Sequence, residues 1–234
     1  MANGPTVIHP QKPIALIVLL ENVGHVAGLR LPRFVMSAID YVTEEYAKML
    51  LRYYGARHLY DRVVVLEDEL ATGPHLADAI LSLSRTHRVD LLLLVHGKEG
   101  YLVGYRGKEL IGKETFDVLL AARRADPAAV DIRAVFGLNC YGVSLAGTWM
   151  ELGASVANGT AGVNWLPEPS LSVFLRNWLG GRPYSVALQR SHTKALRWGR
   201  RLLRTPSGVS EHPMIASSRQ VVYGQKDLTI AGRG

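Results

Sequence analysis

The sequence predicts an α/β fold, with a mostly parallel central sheet and helices on both of its faces. Three observations carry this reading. Short apolar, branched runs recur along the chain, at Ile14 to Leu20, Arg62 to Leu66, Leu91 to Val95 and Ile132 to Leu138. Each is too short for a helix and too uniformly apolar for a strand with a wet face, as expected of strands buried on both sides. Stretches of helical period separate them, and that alternation implies right-handed crossovers between parallel neighbours.

The elements follow in order. Ile14 to Leu20 is the first strand. Phe34 to Tyr54 is a helix, with Phe34, Val35, Ala38, Ile39, Val42, Tyr46, Met49 and Leu50 on one face and Gly55 as its terminating glycine. Arg62 to Leu66 is the second strand, and Pro74 to His87 a helix whose proline suits the first turn. Leu91 to Val95 is the third strand, ending in His96-Gly97. Tyr101 to Tyr105 forms a short hairpin with Lys108-Glu109-Leu110, and Thr115 to Arg124 is helical. Ile132 to Leu138 is the fourth strand, followed by Asn139-Cys140-Tyr141-Gly142 and a helix over Ser144 to Leu152. Ser155-Val156-Ala157 begins a fifth strand, followed by a glycine-punctuated loop from Gly159 to Gly162. Helices over Ser170 to Trp178 and Tyr184 to Leu203, a surface loop over Pro206 to Pro213 and an extended Gln220 to Tyr223 complete the chain.

Composition supports one domain over residues 1–234, since 48% hydrophobic residues are ample for one large core and neither repeat nor linker is visible. A single cysteine excludes an internal disulfide. The N-terminal residues lack the basic start of a signal peptide, and the seven apolar residues Ile14 to Leu20 fall far short of the roughly 20 that span a bilayer. A cytoplasmic location without a membrane partner is therefore expected. The net charge of +7 is concentrated in Arg190 to Arg204, which holds six cations and no acid. That segment reads as the solvated face of a helix, so nucleic acid is not the expected partner.

Chemistry is suggested at two strand ends. In such sheets ligands bind beyond the carboxyl ends of the strands, where His96 and Cys140 both fall. A lone cysteine with a histidine elsewhere in the fold is the pattern of a candidate nucleophile and its base. Core filling explains a single buried cysteine well, but not two reactive residues at two adjacent termini. Other templates fail. No pair of histidines has metal-ligand spacing with a cysteine or carboxylate, so no metal is expected. No glycine-rich phosphate loop follows the first strand, so no nucleotide cofactor is expected, nor any other. Ser144 in Gly142-Val143-Ser144-Leu145-Ala146 lies too far past its strand to be an elbow nucleophile. His25, after the first strand, competes with His96 for the role of base.

With these residues in place, the chain resembles the caspase-like cysteine peptidases of clan CD. Those enzymes carry His-Gly after the third core strand and the catalytic Cys after the fourth. Here these are His96-Gly97 and Cys140-Tyr141-Gly142, with the histidine about 44 positions upstream of the cysteine. The resemblance covers Ile14 to Val163 as an order of elements and only those two short segments as motif. It implies a three-layer caspase-like sandwich and an endopeptidase acting on peptide or protein substrates. Cys140 would be the nucleophile and His96 the general acid and base, with the backbone N–H groups of Gly97 and Cys140 binding the oxyanion. The thiolate is the attacking species, and a free thiol titrates near ~8.5, so a neighbouring base is needed. Glu21, Asn164 and Trp165 are candidates to line the substrate cleft. A solvated loop carboxylate is the plainer reading of Glu21, and Arg30, Arg33 and Arg106 would suit an acidic substrate instead. A catalytically inactive scaffold, or a flavodoxin-like ligand-binding module, is the alternative.

Overall fold

The computed structural model describes residues 12–21, 44–205 and 207–230. Among them the main sheet has the order β2-β1-β3-β6-β7-β8, built from Ile14–Glu21 (β1), Arg62–Leu66 (β2), Arg88–Lys98 (β3), Ile132–Gly137 (β6), Val156–Thr160 (β7) and Gln220–Gly224 (β8). All neighbours pair in parallel except β8, which runs antiparallel to β7 at the edge. Tyr101–Val103 (β4) and Leu110–Ile111 (β5) form an antiparallel extension from the end of β3.

Helices cover both faces because the strands alternate two apolar sets. Ala15, Ile17 and Leu19 of β1 face a core shared with Gly73–Ser84 (α3), Lys113–Ala125 (α4) and Val143–Glu151 (α5). Leu16, Val18 and Leu20 face a second core shared with residues 44–53 (α1), Pro167–Leu179 (α6) and Tyr184–Leu202 (α7). The period of two in a strand sends successive side chains to opposite layers. Phe136 of β6 stacks on Phe174 of α6 with ring centroids 3.5 Å apart.

One ion pair is buried in the middle of the sheet. Arg133 of β6 is 1% exposed and donates through Nε to Asp90 Oδ1 of β3 at 2.8 Å. Its Nη1 donates to the carbonyls of Thr229 and Ile230. The Tyr60 hydroxyl donates to Asp90 Oδ2, and Trp178 Nε1 donates to that hydroxyl. Each charge has hydrogen-bonding partners, as a charge out of water requires.

Several boundaries differ from the sequence reading. The helix expected from Phe34 is seen over 44–53, its earlier part lying outside the described residues. β3 continues past His96 to Lys98, because its parallel partners end at Glu21 and Gly137 and β4 takes over the ladder. Gly159 and Thr160 belong to β7 and not to a loop. The glycine is there for contact: a Cβ on Gly142 would lie 2.8 Å from Gly159 Cα, so the pair lets the start of α5 sit against the strand. The short Ala56–Leu59 (α2) and Pro213–Ser217 (α8) complete the α-helices among the described residues. Among the described residues, no helix is long and apolar enough to cross a membrane.

Candidate active site

β3 and β6 are adjacent, with Leu93 opposite Gly137 at the end of their pairing. The chain then diverges, β3 into the β4 hairpin and β6 into the turn Leu138 to Gly142 that leads to α5. His96 and Cys140 stand at this divergence. Tyr141 takes a left-handed backbone conformation, with φ at 54°. A non-glycine residue there is strained and marks a turn fixed by its surroundings. The fixing contacts are visible. Tyr141 N–H donates to the Gly162 carbonyl, Thr160 Oγ1 to the Asn139 carbonyl, and Asn139 Nδ2 to the Cys140 carbonyl. Ser144 Oγ donates to the Tyr141 carbonyl at 2.6 Å and accepts the Gly100 N–H at 2.8 Å, tying the two strand-end turns together.

Gly97 packs directly against the turn after β6. A Cβ there would overlap the Cys140 carbonyl oxygen and come within 3.1 Å of the Cys140 nitrogen. The space that the glycine leaves is occupied by the backbone of Cys140 itself. That contact brings the His96-Gly97 backbone against the cysteine.

Both side chains line one cleft of about 210 Å³, walled largely by apolar groups such as Leu94, Leu138 and Leu171. Cys140 is half-buried, and its sulfur accepts the Asn164 N–H at 3.4 Å. Asn164 is itself braced, with Nδ2 donating to the Leu138 carbonyl and Oδ1 accepting the Leu166 N–H. No hydrogen bond joins the thiol to the His96 ring among the described residues. Catalytic pairs often stand apart until substrate enters. The Cys140 N–H finds no acceptor among the described residues. Cys140 also precedes the first turn of α5, whose N-terminal dipole favours negative charge nearby.

Two carboxylates face the same cleft. Glu21 is the last residue of β1 and only 8% exposed, so the solvated-loop reading is corrected. Its Oε1 accepts the Arg106 N–H at 2.8 Å. Glu168, at the start of α6, accepts from the Ser172 N–H and hydroxyl. Burial holds its carboxyl above the usual glutamate range despite those donors. Tyr46, from α1, shares the wall, and burial together with the neighbouring Glu168 raises its phenol.

The structure thus brings together His96, Gly97, Cys140, Glu21 and Asn164. It does not bring Trp165, which packs beside Leu166, Ala195, Leu196 and Ile215 under α7, its N–H donating to Ser218 Oγ. The Arg106 guanidinium lies over the Tyr105 ring, 4.9 Å from its centroid, so Arg106 meets the site through its backbone. His25, Arg30 and Arg33 lie outside the described residues. Glu168 and Tyr46 were missed by sequence reasoning. Pro167-Glu168-Pro169 signals a helix start, but nothing local says that this start opens onto the strand ends. Among the described residues, no three His, Cys, Asp or Glu side chains gather as metal donors.

No protein-family model matches the chain, and no curated protein does. Solved structures do. The chain is similar to the Arg-specific cysteine proteinase gingipain R (RGPB), with a TM-score of 0.59 and 13% identity over 93% of this chain and 47% of that one. It is also similar to the complex of Porphyromonas gingivalis RgpB pro- and mature domains, at 0.56 and 12% over 93% and 48%. The chain spans about half the length of these structures. The likeness places its fold with the caspase-like fold of those cysteine proteinases.

Proposed function

We propose that the chain is a cysteine endopeptidase that works through Cys140 and His96. The observation that carries this reading is that both side chains, delivered by two diverging neighbour strands, line a single cleft. The Cys140 thiolate attacks the scissile carbonyl carbon, and the oxyanion takes hydrogen bonds from the backbone N–H groups of Cys140 and Gly97. His96, holding the thiol proton, passes it to the leaving nitrogen as the C–N bond breaks. Water then hydrolyses the thioester, with His96 as base, and the thiol is restored. The Cys140 N–H, without an acceptor among the described residues, and the pressing of Gly97 against Cys140 support this oxyanion site.

The cleft also supports a substrate class. Its apolar walls suit an aliphatic stem, and its two carboxylates, Glu21 and Glu168, suit a cationic head. The chain would then cut after Arg or Lys; gingipain R, which shares its fold, is Arg-specific. A fluorogenic peptide library varied at P1 tests both parts. The wild type should turn over Arg and Lys substrates best, while Cys140→Ala and His96→Ala should abolish turnover in folded protein. Undiminished cleavage by Cys140→Ala would remove the nucleophile assignment. A preference for Asp or Leu would remove only the specificity.

A further inference from the structure

A second surface, on the outer side of α6 and α7, has a composition that the peptidase chemistry does not use. Arg190, Lys194, Arg197 and Arg201 recur at steps of four, three and four residues and so form one straight line along α7. All four are exposed, and none takes part in an ion pair among the described residues. Arg200, one position away, is by contrast paired with Glu211. Arg176 of α6 joins the line from across a groove of about 500 Å³, with Asn177 and Thr193 in its walls. Like charges at three- and four-residue spacing oppose helix formation. Here they are concentrated on one face with no acid between them. Trp198 flanks that line, four residues from Lys194 and three from Arg201, and is 47% exposed. Trp149 and Trp178 are buried, and Trp165 packs beneath α7. A tryptophan left open beside four cations is the feature that a solvated basic face does not explain.

We propose that this face of α7, together with the groove beside it, binds single-stranded nucleic acid. The guanidinium and ammonium groups would meet successive phosphates, a task for which Arg is well shaped. Trp198 would stack on an unpaired base, as aromatic platforms in strand-binding grooves do. The line is about 16 Å long, from eleven steps at the helical rise of about 1.5 Å, so it engages a few nucleotides. A whole-chain pI near 9.6 supplies the long-range attraction. A stacked base in a duplex offers Trp198 no face, which is why a single strand is favoured. An acidic polypeptide would satisfy the cations but leave the indole without a role. The proposal does not depend on Cys140.

The test is fluorescence anisotropy of a labelled single-stranded oligodeoxynucleotide of mixed sequence, with the full chain carrying Cys140→Ala, across a salt titration. Binding should weaken with salt at a log–log slope of about −2 to −3, for three to four neutralised phosphates. The triple variant Arg190→Gln/Lys194→Gln/Arg197→Gln, all exposed positions, should bind at least tenfold more weakly while keeping its far-ultraviolet circular dichroism. Trp198→Ala should lose several-fold in affinity and abolish the quenching of tryptophan emission on binding. Tighter binding to the duplex form, equal binding to a poly-glutamate peptide, or no effect of Trp198→Ala would each overturn the proposal. So would an absence of binding at low salt.

Discussion

The backbone N–H of Asn164 donates to the Cys140 sulfur across 3.4 Å, so the loop after β7 holds the thiol while His96 occupies another part of the same wall. A donor at this distance fixes where the sulfur sits in the cleft. Asn164→Gly removes the side-chain braces to Leu138 and Leu166 that fix this N–H. Iodoacetamide labelling reads the effect cleanly, because Cys140 is the only cysteine in the chain. If holding the sulfur in place is worth about 1 kcal/mol, the rate of labelling should change roughly fivefold in Asn164→Gly. An unchanged rate would mean that the N–H does not hold the sulfur in solution.

Gly97→Ala is expected to damage the site without touching either reactive side chain. The new methyl would meet backbone, the carbonyl of Cys140, and not a side chain that could rotate away. Overpacking of this kind costs about 1–3 kcal/mol. Thermal unfolding should therefore begin several degrees earlier. Peptidase turnover should fall more than tenfold, because the relief would come from moving the Cys140 turn. A variant with normal turnover would show that the two strand ends part freely.

Much of this arrangement is legible in the sequence. The strands were readable because burial on both faces leaves no polar residue within runs such as Leu91 to Val95, and the two reactive residues follow directly from those runs. The extension of β3 to Lys98 was not, since it depends on β4 supplying a new partner where β1 and β6 stop. Glu21 was misread as a loop carboxylate because nothing in the sequence reveals that the Arg106 N–H, some 85 positions away, meets it. Trp165 was misplaced relative to Asn164 for a local reason: adjacent residues in an irregular segment face different neighbours, and only Asn164 meets Cys140. Ser144, set aside as a nucleophile by its place in the sequence, braces the turn that carries Cys140.

The Arg133–Asp90 pair makes a prediction about stability. Arg133→Met leaves Asp90 as an unpaired charge in the middle of the sheet, with only the Tyr60 hydroxyl remaining. Breaking a buried pair on one side costs about 3–5 kcal/mol, which in a chain of this size lowers the melting temperature by roughly 10 °C. The double variant Arg133→Met/Asp90→Asn should recover part of the loss. Both variants should also exchange amide protons faster at Leu228 and Ile230, because their segment is clamped by the Arg133 guanidinium through the carbonyls of Thr229 and Ile230. A loss under 1 kcal/mol by denaturant titration would show that water reaches Asp90.

Glu168 gives the site a pH dependence whose sign can be worked out. Burial raises its folded-state titration above that of a free glutamate, about 4.3. Between those two values the unfolded chain binds fewer protons than the folded one, so this group's contribution to stability declines as pH rises through that window. Glu168→Gln keeps an oxygen to accept the Ser172 N–H and removes the titration. The variant should melt with the wild type well below pH 4 and above it at neutral pH. Substrate binding should show the opposite trend. A cationic P1 side chain pairs with the ionised form, so KM for an Arg substrate should fall as pH rises through the same window. In Glu168→Gln that pH dependence should be flattened while cleavage persists. A wild type whose KM is flat across the window would mean that Glu168 caps α6 and does not meet the substrate.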